Sequence, residues 1–191
     1  MKSHVLSIAL LVACAGLTAC QEDTANAPAT DAPASGTGAV DGGATEATAL
    51  ADAFDAQDEA ARPLEASGLD AIDAPLHCSV DSINETPASE ALPLDRSARA
   101  RFSGFVQAAS LDEPSILVLR SGDATYFVNN VPTMERADIA EYKGIEGSSA
   151  FDYSTFVTLD AVQPGSYTVE LLAMDGDAVR RCASSVVVVV Q

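Results

Sequence analysis

The chain has 191 residues and a mass of 19.6 kDa, room for one ordinary domain and a tail but not for two large domains. Its 10 Lys and Arg stand against 28 Asp and Glu, a net charge of -18, so it has no basic surface with which to neutralise a phosphate backbone, and nucleic acid is not expected as a partner. Hydrophobic residues make up 48%, but many are Ala, aromatics are 5% and Trp is absent, so the core is smaller than that figure suggests and part of the chain is expected to be unfolded.

The N-terminus opens with Lys2, continues through an uncharged run from Val5 to Ala13, and reaches small residues at Ala19 and Cys20. A basic start, a short apolar stretch and a small-residue cleavage site make residues 1–19 a secretory signal peptide. As a helix, Val5 to Ala19 would rise roughly 22 Å at about 1.5 Å per residue, short of the roughly 30 Å hydrocarbon core, so a permanent span is the poorer reading. Leu17-Thr18-Ala19-Cys20 resembles the lipobox of bacterial lipoproteins. The resemblance implies that Cys20 is diacylated on sulfur, becomes the first residue after cleavage and takes a third acyl chain on its amine. Two or three acyl chains anchor stably, at about 0.8 kcal/mol per buried CH₂, so the expected partner is a lipid bilayer reached through Cys20. In the same resemblance the residue after the Cys guides sorting. Gln21 is not the Asp that retains lipoproteins at the inner membrane, so the outer membrane is expected, with the module facing the periplasm or the cell surface.

Residues 20–75 read as a disordered acidic tether rich in Ala, Thr, Gly, Pro and Asp, with 12 acidic residues and one basic residue, Arg62. Residues 47–61 are good helix formers with Leu50 and Phe54 spaced i, i+4, which fits either a transient or partner-induced helix or a solvated Ala-rich stretch. Residues 76–191 change character and read as all-β. Strands are expected at 77–83, 99–108, 115–120, 125–129, 155–159, 167–174 and 179–190, with one short helical turn at 134–142. Seven short strands in 116 residues predict a two-sheet β-sandwich. Turn signals at Ser121-Gly122-Asp123, Gln163-Pro164-Gly165 and Asp175-Gly176-Asp177 punctuate it.

With Cys14 removed and Cys20 acylated, Cys78 and Cys182 are the only thiols left in an exported chain, an even count that predicts a disulfide. That bond would set the first and last strands side by side. His77 is then the only imidazole of the mature chain, and its neighbour Cys78 is better used in the disulfide, so neither nucleophilic catalysis nor a His/Cys metal site is expected. Asp123, Asp175 and Asp177 would supply calcium ligands if two loops converge, but this spacing is common in solvated hairpin turns. Asn84-Glu85-Thr86 matches a glycosylation sequon that a bacterial lipoprotein would not ordinarily use. Arg96, Arg99 and Arg101 stand out in so acidic a chain, either as a binder of an acidic glycan or lipid headgroup or as a solvated strand face that resists aggregation.

From about Phe102 onward the module also resembles bacterial Ig-like accessory domains of cell-surface proteins. The residues that carry this are Ser103-Gly104-Phe105-Val106, Ile116-Leu117-Val118-Leu119, Met134-Glu135-Arg136-Ala137-Asp138-Ile139-Ala140, Ser149-Ala150-Phe151 and Val162-Gln163-Pro164-Gly165-Ser166-Tyr167-Thr168-Val169. In such domains a Pro-Gly-x-Tyr turn introduces a late strand with the Tyr ring over the sandwich; Ser149-Ala150-Phe151 departs from the usual small-Gly-Phe segment. The resemblance implies an Ig-like sandwich in a binding or spacer role and no particular ligand. The expected function is a non-enzymatic envelope lipoprotein that binds, adheres or spaces, with a protein or glycan partner and no cofactor. Two alternatives stand beside it: a periplasm-facing accessory subunit of an envelope assembly, and an enzyme that modifies a polymer through carboxylates alone.

Overall fold

A computed structural model of the chain describes residues 50–55, 59–65, 69, 72, 74–88, 91–122, 124–176 and 178–191. The expected signal peptide, Cys20 and the expected tether as far as residue 49 lie outside the described residues.

The described body is an all-β two-sheet sandwich. The first sheet has the order β3-β2-β5-β9-β8, from Thr86–Pro87, Cys78–Ile83, Arg99–Ala108, Ser149–Thr158 and Pro132–Glu135. The second has the order β1-β7-β6-β10-β11-β4, from Arg62–Pro63, Ala124–Asn130, Ser115–Ser121, Gly165–Asp175, Ala178–Val190 and Leu92–Leu94. Pairing is antiparallel between these strands except where β4 runs parallel to the C-terminal end of β11.

β5 has the bounds its alternation predicts. Ala100, Phe102 and Val106 point into the core, while Arg99, Arg101 and Ser103 alternate outward. β9 begins earlier than the expected 155–159, because it pairs with β5 along its whole length from Arg99↔Thr158 to Ala108↔Ser149. Gly104 is required by a close approach. A Cβ there would lie 2.0 Å from the Ser79 carbonyl oxygen, which also accepts the Tyr153 hydroxyl at 3.1 Å, so the Tyr153 side chain lies across the one position of β5 that lacks a side chain. Two of the predicted turns are two-residue hairpin loops, between Ser121↔Ala124 and between Asp175↔Ala178. Gly122 and Gly176, at positive φ, take their first central positions. At the third, the Tyr167 hydroxyl donates to the Gln163 carbonyl at 2.7 Å, and its ring meets Tyr126 edge-on at 5.8 Å inside the core. The expected helix starts later, at α2 (Ala137–Lys143), because Pro132–Glu135 continue the sheet instead, and the Arg136 N–H donates to the Ala150 carbonyl at 2.7 Å.

Cys78 and Cys182 form the expected disulfide, with a sequence separation of 104. The strands it joins are not side by side in one sheet: β2 belongs to the first sheet and β11 to the second, so the bond clamps the two layers together.

The expectation that the tether runs to residue 75 is corrected by the packing that begins at Leu50. Residues 50–55 form a helix, α1, and Phe54 is buried together with Ala53. β1 follows and pairs with the edge of β7, and the Ala61 N–H donates to the Thr158 carbonyl, so this segment touches both sheets. Ala53, Phe54, Leu64 and Leu69 then pack on Ile116, Val118, Phe127 and Leu172 as a second apolar cluster. The cause lies in β6. Ser115 to Leu119 are all buried, with Leu117 and Leu119 between the sheets and Ile116 and Val118 on the outer face, so a continuous apolar run needs cover on both sides. The described residues between Leu50 and Ile72 are that cover, and we call them the strap.

Arg181 fastens the strap's end. Its guanidinium donates two bonds to the buried Glu170 carboxylate at 2.8 and 3.0 Å and one to the Leu69 carbonyl at 3.3 Å, while its backbone bonds Ala74 and Leu76. Arg120 adds a second cation 3.8 Å from Glu170. A carboxylate held this way is taken out of water with its charge matched and its oxygens satisfied.

Candidate functional site

The outer face of the first sheet carries the candidate site. Phe156 is an aromatic on the outward phase of β9: Tyr153, Thr155 and Val157 point inward and are buried, while Phe156 is 40% exposed. Its cross-strand partner is Arg101, and Arg99 lies one step along the same face. Both guanidiniums sit over the ring, that of Arg99 at 4.6 Å from the centroid and that of Arg101 at 5.9 Å. The Arg101 Nε also donates to the Ser154 hydroxyl at 2.8 Å, which fixes the plane of its fork. Each arginine has an acidic neighbour, Glu59 on the strap for Arg99 and Glu85 at 3.8 Å for Arg101. The side chains of all four lie 43% to 86% exposed, so these are solvated pairs worth about 0 to 1 kcal/mol each.

Beside the ring lies an open groove of about 270 Å³, lined by Glu59, Asn129, Val131, Thr133, Ser154 and Phe156. Its position follows from the pairing at the sheet edge. β8 meets β9 only from Phe151 to Tyr153, and the strap meets β9 at Thr158, so the groove opens between these two neighbours. Behind it a buried polar chain ties the sheets together. Asn130 donates to the Ser115 hydroxyl at 2.9 Å, Ser115 donates back to the Asn130 carbonyl at 2.8 Å, and the Thr155 hydroxyl donates to the Asn130 side-chain oxygen. Every member has a partner, so the wall behind the groove is rigid.

The three arginines expected to act together divide. Arg99 and Arg101 converge on Phe156, whereas Arg96 turns to the Asp160 carbonyl and bonds Gln191 through its backbone. Phe156 belongs to no sequence motif, and its signal is an aromatic side chain at an outward position of its own strand. Asn84 of the sequon serves as a turn residue. It and Glu85 both have positive φ, and its side-chain oxygen accepts the Arg101 N–H at 2.8 Å, which holds the end of β2 against β5. His77 is exposed at the entry to β2, and its backbone exchanges bonds with Gln107 at 2.8 and 3.2 Å. Asp175 pairs with Arg180, while Asp123 and Asp177 lie outside the described residues. Among the described residues no group of three His, Cys, Asp or Glu side chains is placed to hold a metal ion, and no helix is long and apolar enough to cross a membrane.

At the first turn of α2, Arg136 bridges Asp138 at 2.8 Å and Asp152 at 3.0 Å. The hydrogen bond from Arg136 holds the Asp138 carboxyl below its ordinary value of 3.8. That bond is also the main reason the guanidinium is held above its own ordinary range. These are fastenings of the helix to β9.

Comparison with protein-family models, with curated proteins and with solved structures gives no match to this chain.

Proposed function

We propose that this chain is an envelope lipoprotein, anchored to the outer membrane through an acylated Cys20, whose sandwich is a non-enzymatic binding module of the Ig-like kind. The observation that supports the reading is the Cys78–Cys182 disulfide, in a chain whose first residues read as a signal peptide ending in the Leu17–Cys20 motif. Disulfides persist in oxidising compartments outside the cytoplasm, so the bond and the leader point to the same side of the membrane by independent routes. The open groove beside a rigid buried wall supports a binding role, since surface contacts on a fixed scaffold suit recognition.

The test is Cys20→Ala with fractionation and acyl labelling. The variant is expected in the soluble fraction without label while the parent stays with the outer membrane; unchanged labelling and membrane recovery would overturn the anchor. Protease treatment of intact cells then reads the facing: release of the module marks a surface lipoprotein, and full protection marks a periplasm-facing one.

A further inference from the structure

We propose that the groove beside Phe156 is a subsite for an acidic glycan, with the carboxylate of a sugar unit taken by Arg99 and Arg101 and its hydroxyls by Ser154, Thr133 and Asn129. The inference rests on the reading of the sandwich as a binding module and names the ligand class of its open face. Only 10 basic residues occur in the whole chain, and two of them converge on one exposed ring in the first sheet. A guanidinium is a planar fork matched to a carboxylate, and stacking on an aromatic ring limits the rotamer freedom lost when that fork is used. Phe156 and the Ser154 hydroxyl therefore hold Arg101 in place before any ligand arrives.

The present partners of the arginines are easily exchanged. Glu59 and Glu85 are 60% and 86% exposed, so a ligand carboxylate replaces solvated pairs of small net worth. The groove lining is amphipathic in the way a sugar ring is: Phe156 and Val131 give apolar contact, and hydroxyl and amide groups surround them; its one carboxylate, Glu59, is paired with Arg99, and the two arginines stand at its rim over the Phe156 ring. About 270 Å³ lies just below the roughly 300 to 1,000 Å³ of enclosed small-molecule sites, and the groove is partly open to solvent, so it fits one or two units of a longer chain. It offers no apolar depth for an acyl tail, which disfavours a lipid. The net charge of -18 opposes a dense polyanion at long range, so the ligand is a glycan with spaced carboxylates, read within a Debye length of about 8 Å at physiological salt.

The experiment is calorimetric titration of the full mature chain in detergent micelles with trigalacturonate, with neutral trigalactose as control and phosphatidylglycerol vesicles as a third arm. Saturable uronate binding at least tenfold tighter than that of the neutral trisaccharide is expected, with a further tenfold loss in the Arg99→Gln/Arg101→Gln double variant. Arg101→Lys keeps the charge and removes the fork, and is expected to fall between the two; it also covers the case in which the double variant fails to fold. Equal affinity for charged and neutral sugars, no saturable uronate binding, or a preference for vesicles that follows the arginines would each overturn the proposal. Failure here with Cys20 acylation intact removes the glycan subsite and leaves the lipoprotein reading standing, whereas loss of the anchor with uronate binding intact does the reverse.

Discussion

The two outer faces of the sandwich have opposite fates. On the second sheet, Ile116, Val118, Phe127 and Leu172 lie under the strap, and the carboxylate of Glu170 among them is matched by Arg181 and Arg120. On the first sheet, Arg99, Arg101, Ser103 and Phe156 face outward with no such cover among the described residues, and the two arginines are met by exposed glutamates. An apolar outer face must find cover from the chain's own sequence, whereas an alternating polar one stays open and is where recognition can occur.

The largest way to break this contrast is to remove the strap. A chain that begins at residue 76 loses Phe54, Leu64 and Leu69, each worth about 1.5 to 3 kcal/mol of burial, and uncovers Ile116 and Val118. Summed, that approaches the roughly 5 to 15 kcal/mol by which whole domains are stable, so this chain is expected to be unfolded or aggregated while one beginning at residue 50 melts cooperatively. A cooperative melt within a few degrees for both would show that the strap is an ornament of the second sheet.

The disulfide comes next. It closes a loop of 104 residues between the two sheets, for which the chain-entropy model gives about 4.7 kcal/mol and measurement more often about 2 to 4. Cys78→Ala/Cys182→Ala is expected to lower the melting temperature strongly, as reductant does to the parent. Two alkylatable thiols in the native parent would refute the bond. Smaller again is Glu170→Ala, which leaves the guanidinium of Arg181 facing an apolar patch and is expected to cost about 3 kcal/mol in denaturant titration, against less than about 0.5 for Glu59→Ala on the open face. Equal costs for the two would mean that the covered carboxylate is as solvated as the open one.

How far this contrast is legible in the sequence differs by region. The alternation from Arg99 to Ser103 declares both the strand and its wet face, and the Gly-Asp pairs declare their hairpins. The cover over β6 is harder to see, because Phe54, Leu64 and Leu69 are scattered without period through an Ala- and Asp-rich stretch, and average composition hides a few well-placed anchors. Yet the run from Ile116 to Leu119 carries the complementary signal, since a strand apolar on both faces requires a partner on both. β1, β3, β4 and β8 are two to four residues long, too short for a period to register, and they exist because longer neighbours offer unpaired edges. Cysteine count identifies the disulfide pair, but whether the joined strands share a sheet depends on chain topology, which a count does not contain. The same holds for the groove, where Arg99 and Arg101 are visible in the sequence but their meeting at Phe156 depends on the register of β5 with β9.

A pH-dependent effect sharpens the contrast from inside the first sheet, where Tyr153 lies across Gly104 and donates to the Ser79 carbonyl at 3.1 Å. Burial, reinforced by the nearby Asp81 carboxylate, holds its phenol well above the ordinary value of 10.0. The folded protein therefore keeps this proton while the unfolded chain releases it near pH 10. The stabilisation is complete below that pH and is lost as pH rises beyond it, by about 1.4 kcal/mol for each further unit until the folded-state value is reached. Tyr153→Phe removes one hydrogen bond, about 1 kcal/mol at pH 7, and with it the ionisable group. The parent is thus expected to be the more stable protein at pH 7, and the order is expected to reverse by about pH 11 in paired denaturant titrations. A difference between the two that stays constant from pH 7 to pH 11 would mean that the Tyr153 hydroxyl reaches water in the folded state.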